Sequence, residues 1–210
     1  MSPKIIDCEQ RSEQWYLSRI GMPTASEYAT VMATGRGGGE SKTRRTYMLK
    51  LAGEIITRKP MENYTNAYME RGVIMEDEAR DFYEFINGGS LTRVGFIING
   101  QTGCSPDALI GNKGMLEIKT ALPHILIDLL LRDEFPPEHK AQCQGGLWVA
   151  EREWIDIAIY WPGLPLFVKR AYREDKYIAE IAAAIDQFND ELQKTVDFVR
   201  QYGKQAMAAA

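Results

Sequence analysis

The sequence has few cysteines, no long apolar run and no excess of basic residues. Its three cysteines, Cys8, Cys104 and Cys143, are widely spaced and fit neither a disulfide framework nor a zinc ligand set, so we interpret them as reduced, mostly buried thiols. No apolar run approaches the roughly 20 residues of a membrane span, so no membrane partner is expected. The opening stretch MSPKIIDCEQRSEQW lacks the apolar core of a signal peptide, which favours a cytoplasmic location.

The net charge of −4 argues against a protein that holds nucleic acid by overall positive charge. It does not argue against a metal-using nuclease, because such an enzyme concentrates carboxylates in its site and can bind DNA through a local basic surface. With 210 residues, 45% hydrophobic and 26% charged, the chain has the composition of an ordinary globular protein. We expect one domain over residues 1–205 and a disordered or added tail over 206–210.

Periodicity and turn residues predict a mixed α/β (α+β) fold, with a central mixed sheet flanked by helices. Helices are predicted over 43–57, 66–85, 139–149 and 177–202, with two shorter ones between 10 and 33. Strands are predicted over 91–98, 103–110, 114–119, 154–161 and 166–173. The glycine-rich stretch TGRGGGESK, residues 34–42, is predicted to be flexible.

The most informative stretch is CSPDALIGNKGMLEIK, residues 104–119. The segment 111–114 has the composition of a hairpin turn, which would bring Asp107 at the start of one strand close to Glu117 on the next. Glu117 and Lys119 are two residues apart on a strand, so they project from the same face. The pattern P-D…E-x-K is a signature of restriction-endonuclease-like nucleases, although E-x-K also occurs on solvated faces of ordinary strands.

Two carboxylates and an ammonium group on one patch of sheet suit a divalent cation. Mg²⁺ prefers oxygen ligands and is held by one or two carboxylates together with a substrate phosphate. The ion polarises the phosphate and lowers the pKa of a bound water. Lys119 could then orient or deprotonate the attacking water, or neutralise charge on the phosphate.

Three other side chains allow two interpretations each. Glu76 shares a helix face with Arg80, and is either a metal ligand or part of an exposed acidic helix. Gln142 and Gln144 lie among small residues, which permit either the approach of a substrate or tight packing of the helix on the sheet.

Arg19, Thr24, Ser26 and Arg36 form a loose set of donors that suits a phosphate. For Thr24 and Ser26 the alternative is that they only cap a helix.

Four blocks in this order and spacing resemble the phage lambda exonuclease (YqaJ-type viral recombinase) family. They are RIGMPTASEY, ERGVIMEDEARDFYEF, CSPDALI…GMLEIK and HKAQCQGGLWV. The resemblance runs from about residue 15 to about residue 161 and implies a restriction-endonuclease-like, or PD-(D/E)XK, core. The chain departs from the family at His139-Lys140, where many members have a tyrosine before the glutamine motif.

The resemblance implies a processive Mg²⁺-dependent exonuclease that degrades the 5′-ended strand of linear double-stranded DNA and leaves a 3′ overhang for recombination. Two Mg²⁺ ions are expected, with Mn²⁺ as a substitute. By family position, the implied metal ligands are Glu76, Asp107, Glu117 and the main-chain carbonyl of Ile118. Lys119 is implied as the catalytic lysine and Gln142 as a glutamine near the metals, while Arg19, Ser26 and Arg36 match the pocket for the terminal 5′-phosphate.

The resemblance also implies features that the residues alone do not indicate. Met69 falls where the family places an apolar wedge between the two DNA strands, although it could equally be a core or interface residue. A ring-shaped homotrimer, a single-strand annealing protein as partner and a bacterial or phage-infected cell are further implications. The alternatives are an endonuclease of the same fold class and a non-catalytic module that binds DNA ends.

Overall fold

The computed structural model describes residues 2–61, 67–88 and 90–208. The helices are α1 (Glu13–Ser18), α2 (Tyr28–Met32), α3 (Lys42–Thr57), α4 (Ala67–Asn87), α5 (Pro123–Arg132), α6 (Lys140–Val149) and α7 (Asp175–Ala208). The strands are β1 (Lys4–Ile6), β2 (Leu91–Thr92), β3 (Phe96–Asn99), β4 (Thr102–Cys104), β5 (Ala108–Ile110), β6 (Gly114–Thr120), β7 (Trp154–Tyr160) and β8 (Phe167–Tyr172). In these residues no helix is both long and apolar enough to cross a bilayer.

The larger sheet is mixed, as predicted, and has the strand order β2-β5-β6-β7-β8. Strands β6 and β7 pair in parallel, and the other neighbouring pairs are antiparallel. A parallel pair needs a long crossover connection, which α5 and α6 provide between β6 and β7. A smaller antiparallel sheet has the order β1-β3-β4. Strand β6 therefore lies in the middle of the larger sheet, with helices above and below it.

Alternation along β6 divides the core into two parts. Met115 packs on one face of the sheet in a large cluster that includes Phe188 of α7. Leu116 and Ile118 pack on the other face against Ala79 of α4. Since successive side chains of a strand point to opposite faces, this one strand supports both layers of helices.

Helix α4 is attached to the sheet through a buried carboxylate. Asp156 of β7 is only 2% exposed. It accepts a hydrogen bond from the Tyr83 hydroxyl at 2.5 Å and two from the Arg170 guanidinium at 2.8 and 2.9 Å. Tyr83 lies two turns after Glu76 on the same side of α4, so this network fixes the helix that carries Glu76.

The structure differs from the sequence prediction in several elements. The predicted strands 91–98 and 103–110 are each two short strands, and in both cases the two halves belong to different sheets. In the first, the chain crosses between the sheets at Gly95, where a side chain would meet the Cys8 carbonyl oxygen at 2.3 Å. Strand β1 and helix α5 were not predicted. Helix α7 continues to Ala208, three residues into the segment for which we predicted a tail.

The interpretation of the cysteines as reduced and mostly buried is confirmed. All three are free, Cys104 and Cys143 are buried, and Cys8 is half-buried. Burial raises the pKa of the Cys104 and Cys143 thiols far above their ordinary value. Neither buried thiol is therefore a nucleophile at neutral pH.

Candidate active site

The predicted hairpin between β5 and β6 is present and brings the two carboxylates together. Ala108 pairs with Leu116, whereas Asp107 lies one residue before this pair, outside the regular ladder, and its N–H donates to the same Leu116. The charge of Glu117 is one of the causes that raise the pKa of Asp107, so the two carboxylates are close enough to repel each other. Such an arrangement is unfavourable without a compensating positive charge.

Asp107 is held at the edge of β6 by the backbone. Its carboxylate accepts a hydrogen bond from the Ile118 N–H at 2.5 Å, and its own N–H donates to the Leu116 carbonyl at 3.1 Å. Because the N–H and C=O of one strand residue point to the same edge of the strand, the Ile118 carbonyl also points to the side of Asp107. Burial, together with the charges of Glu117 and Glu76, raises the pKa of Asp107 well above its usual range.

Glu117 is bound by two donors on its own face of the sheet. The Lys119 ammonium lies 2.8 Å from a carboxylate oxygen of Glu117, and the Gln142 amide donates to the same oxygen at 2.5 Å. Burial alone would lower the pKa of Lys119, but the carboxylates of Glu117 and Asp107 outweigh that effect and raise it. Lys119 is consequently an ammonium at neutral pH while these carboxylates are charged.

Glu76 reaches the same region from α4 and is held by two arginines. Arg11 and Arg80 lie 2.5 and 2.6 Å from its two carboxylate oxygens. The Glu76 side chain is 14% exposed, and its charge is one of the causes that raise the pKa of Asp107. The interpretation of Glu76 as a merely exposed residue is therefore wrong.

The acidic side chains are not gathered closely enough to form a ready metal site. Among residues 2–61, 67–88 and 90–208, no group of three or more His, Cys, Asp or Glu side chains is placed to hold an ion. Glu76 is instead paired with arginines, and Glu117 with Lys119.

The two glutamines of α6 have different environments. Gln142 faces Glu117, whereas Gln144 is 1% exposed and bonds to the backbone of Tyr172 and Glu174. The neighbouring Gly145 packs directly on Tyr28, and a Cβ atom added to it would lie only 2.2 Å from the ring. The face of α6 that carries Gln142 therefore contacts the Glu117 carboxylate, and the face that carries Gln144 packs in the core.

The residue before α6 is His139, at the position where the chain departs from the family. Burial and the Lys119 ammonium lower the pKa of His139 below its ordinary value. The imidazole is therefore neutral at pH 7 and belongs to the surroundings of Lys119.

A candidate anion site lies beside the carboxylates. The Arg19 guanidinium stacks 3.8 Å from the centre of the Trp15 ring and donates to the Thr24 hydroxyl at 3.3 Å, which in turn lies 3.2 Å from the Ser26 hydroxyl. In the described part of the chain, no carboxylate is within ion-pair distance of Arg19. A cavity of about 150 Å³ is lined by Arg19, Ser26 and Glu117 among others, so this cation and a carboxylate of the site open into one space.

One sequence-predicted residue is not brought to this cavity, and the side chain of another lies outside the described residues. Arg36 is exposed in a 3-10 turn, Arg36–Gly38, and does not line the cavity of Arg19 and Ser26. Met69 lies in α4, but its side chain is outside the described residues.

Sequence reasoning missed other residues that help to build the site. Arg11 contacts Glu76, and Gln10 donates to the carbonyls of Val94 and Pro106 at 2.9 Å, which fixes the loop before Asp107. Nothing in their local pattern indicates these roles. Trp15 does carry a signal, since it lies four residues before Arg19, but that spacing alone is common in helices.

Comparisons with known proteins place this arrangement in a family. The profile of the YqaJ-like viral recombinase domain matches residues 14–153. The alkaline exonuclease LHK-Exo from Laribacter hongkongensis is 30% identical, with a TM-score of 0.83, over 93% of this chain and 100% of that one. A crystal structure of LHK-Exo in complex with dAMP has a TM-score of 0.84, with the same identity and coverage.

A third structure supports the fold alone. The phage-related exonuclease from Haemophilus somnus 129PT is 11% identical, with a TM-score of 0.65, over 85% of this chain and 96% of that one. No curated protein sequence matches the chain. The mixed sheet flanked by helices is the restriction-endonuclease-like fold of these exonucleases, as predicted. The chain belongs to the YqaJ-like viral recombinase domain family, whose nuclease role in recombination it shares.

Proposed function

We propose that the protein is a Mg²⁺-dependent 5′-to-3′ exonuclease. It degrades the 5′-ended strand of linear double-stranded DNA, releases mononucleotides processively and leaves 3′ overhangs for recombination. The observation that carries the proposal is the cavity that Arg19, Ser26 and Glu117 line together, beside Asp107 and Lys119. A terminal phosphate at Arg19 and the phosphodiester at the carboxylates would then lie in the same cavity.

The donors around Asp107 fit Mg²⁺ in their chemistry. Glu76, Asp107, Glu117 and the Ile118 carbonyl offer oxygen atoms, which this ion prefers. The raised pKa of Asp107 reflects burial first and then repulsion by Glu117 and Glu76, and a bound cation would relieve that repulsion. When bound, one or two ions would polarise the scissile phosphate and lower the pKa of the attacking water. Glu76 would then bind the metal in place of its ion pair with Arg11.

The chain's own residues supply the remaining steps. The Lys119 ammonium lies beside Glu117, where it can orient the attacking water and neutralise charge on the phosphate. Gln142 holds the shared Glu117 oxygen and so restricts the carboxylate to one orientation. Arg19 and Ser26 would bind the terminal phosphate and give each cleavage step the same register.

Similarity to LHK-Exo supports the nature of the product. The ligand in that crystal structure, dAMP, is a deoxynucleoside monophosphate. Such a molecule is what an exonuclease releases when each cut leaves a 5′-phosphate on the remaining strand. By family resemblance we further propose a ring-shaped homotrimer, which would explain processivity without a basic chain, and a single-strand annealing protein as partner.

Digestion of end-labelled DNA tests the function. A linear 5′-phosphorylated duplex should release labelled mononucleotides from its 5′ ends with Mg²⁺ or Mn²⁺ and release none with EDTA. Closed circular DNA of the same sequence should stay intact, because it offers no end. Cutting of the circle would support the endonuclease alternative, and DNA binding without nucleotide release in Mg²⁺ would support the non-catalytic one.

Replacing Arg19 with alanine should remove the preference for phosphorylated ends. A hydrogen bond to a charged group contributes about 1.5–3 kcal/mol, so the wild type should favour 5′-phosphate over 5′-hydroxyl ends by roughly 10- to 100-fold. Initial rates of cleavage at the first phosphodiester of the two kinds of end measure this ratio, which should fall to about one in Arg19→Ala. Arg45→Ala, at an exposed arginine of α3 paired with Glu40, is the control and should keep the ratio. Equal wild-type rates would refute the phosphate pocket.

A further inference from the structure

A second cavity, of about 280 Å³, adjoins the first at Arg19. Trp15, Arg19, Thr24 and Ser26 line both cavities, whereas Glu117 lines only the first. Arg19 therefore stands at the boundary between the carboxylates and a separate space. The volume of that space is close to the lower limit of about 300 Å³ for small-ligand sites.

The walls of the second cavity favour a neutral group over another phosphate. The carboxylates of Glu27 and Glu54 line it together with the single ammonium of Lys50, so beyond Arg19 the charged side chains of its wall are negative on balance and disfavour a second anion. Glu54 is 7% exposed and is fixed by the backbone N–H groups of Gly21 and Met61 at 2.9 and 3.1 Å. These carboxylates suit a neutral group that donates hydrogen bonds, as the exocyclic amines of nucleobases do.

Aromatic rings supply the other requirement of a nucleoside site. The rings of Trp15, Tyr16 and Tyr47 line the cavity. Stacking of a base on an aromatic side chain contributes about 1–3 kcal/mol and depends little on the sequence. The Tyr47 ring is itself held by stacking on Phe188, with the ring centres 5.7 Å apart. A stacking surface, two acceptors and a cation at one end together match a nucleoside attached to a phosphate.

We propose that this cavity binds the nucleoside on the 5′ side of the phosphate held by Arg19 and Ser26. The inference rests on the proposed function, which puts a phosphate at Arg19. At a 5′-phosphorylated end that phosphate is terminal, and the cavity takes no part. At a 5′-hydroxyl end the first internucleotide phosphate occupies the Arg19 site instead, and the terminal nucleoside enters the cavity.

The first cut at a 5′-hydroxyl end therefore falls at the second phosphodiester. The oxygen of water bonds to that phosphorus, the bond from phosphorus to the 3′ oxygen of the second nucleotide breaks, and this oxygen takes up a proton. The product is a dinucleoside monophosphate, and the remaining strand now begins with a 5′-phosphate. Each later cut releases a mononucleotide.

Identification of the first product tests the proposal. Linear duplexes with 5′-hydroxyl or 5′-phosphate ends are digested by the full-length protein with Mg²⁺, and early products are separated and weighed by mass spectrometry. The 5′-hydroxyl duplex should release a dinucleoside monophosphate first and mononucleotides afterwards. A free nucleoside as first product would overturn the inference, as would failure to digest 5′-hydroxyl ends while 5′-phosphate ends are degraded. No digestion of either duplex would overturn the proposed function itself.

A pair of tryptophan substitutions makes the test specific to the cavity. Met61 is 47% exposed and lines the cavity, whereas Leu49 of α3 is 49% exposed and lines neither cavity. Met61→Trp should lower dinucleotide release from 5′-hydroxyl ends about tenfold relative to mononucleotide release from 5′-phosphate ends, because the bulk takes the place of a stacked base. Leu49→Trp should keep the wild-type ratio. An unchanged ratio in Met61→Trp would contradict the assignment.

Discussion

Lys119→Ala is expected to reduce kcat on 5′-phosphorylated linear duplex DNA by about 10²- to 10⁴-fold, the usual contribution of a group that assists proton transfer. The substitution removes the ammonium that lies 2.8 Å from Glu117. Gln142 still holds the Glu117 carboxylate, so the local structure should persist and KM should change little. Single-turnover release of labelled mononucleotides at saturating Mg²⁺ measures the effect.

Comparison with two further variants shows how Lys119 acts. Lys113→Ala removes an exposed lysine of the same hairpin, paired with Glu153, and should retain full activity. Lys119→Arg keeps the positive charge but cannot lose a proton at neutral pH. Substantial activity in the arginine variant would assign Lys119 an electrostatic role, whereas loss equal to that of alanine would indicate proton transfer. An undiminished rate in Lys119→Ala would refute the assignment of this residue.

Asp107→Asn is expected to abolish activity and yet stabilise the metal-free protein. The neutral amide no longer opposes Glu117 and Glu76, and its oxygen can still accept from the Ile118 N–H. A tenfold change in proton affinity corresponds to about 1.4 kcal/mol. About 1 kcal/mol moves the Tm of a domain of this size by roughly 2–4 °C. Thermal unfolding in EDTA near pH 8 measures the gain, and nuclease assays in Mg²⁺ measure the loss.

The dependence on pH follows from the direction of the Asp107 pKa. Its pKa is higher in the folded state than in the unfolded chain, where it is about 3.9. The folded state therefore binds the proton more tightly, and this contribution to stability is complete below the unfolded pKa and is lost as the pH rises through the folded pKa. The advantage of Asp107→Asn over the wild type in EDTA should consequently grow as the pH is raised through that range.

Mg²⁺ should reverse the difference in Tm between the wild type and Asp107→Asn. An ion that binds the folded state stabilises it, so Mg²⁺ should raise the Tm of the wild type more than that of Asp107→Asn. Asp186→Asn, at an exposed position of α7, should follow the wild type in both buffers. A lower Tm for Asp107→Asn in EDTA at alkaline pH would show that the carboxylate is not destabilising in the metal-free fold.

The sequence was most informative where short-range rules decide the structure. The turn composition of 111–114 and the alternation along β6 predicted that Asp107 and Glu117 would meet and that Glu117 and Lys119 would share a face. These relations depend on a hairpin and on the two-residue period of a strand. The mixed sheet and most helices followed from periodicity in the same way.

Contacts between distant segments could not be predicted by such rules. Arg11 meets Glu76 across 65 residues of chain, and Gln10 meets Pro106 across 96. Helix α5 was missed although its polar residues His124, Asp128 and Arg132 recur every four residues, a helical spacing that sequence reasoning overlooked. The splitting of residues 91–98 between two sheets depends on close packing of Gly95 against Cys8, which no local pattern reveals.

The tight turn between β5 and β6 also limits how relatives of this chain can vary. Its exposed residues Asn112 and Lys113 are free to change in identity, whereas Gly111 has a φ of 53° that favours glycine. An added or deleted residue that shifted the pairing by one position would turn the side chains of β5 to the opposite face of the sheet and move Asp107 away from Glu117. Natural insertions in this lineage should therefore accumulate elsewhere, as in the exposed glycine-rich segment near Gly37, where added length costs little. Loop length at 111–113 thus separates relatives that could retain the reaction from those that have lost it.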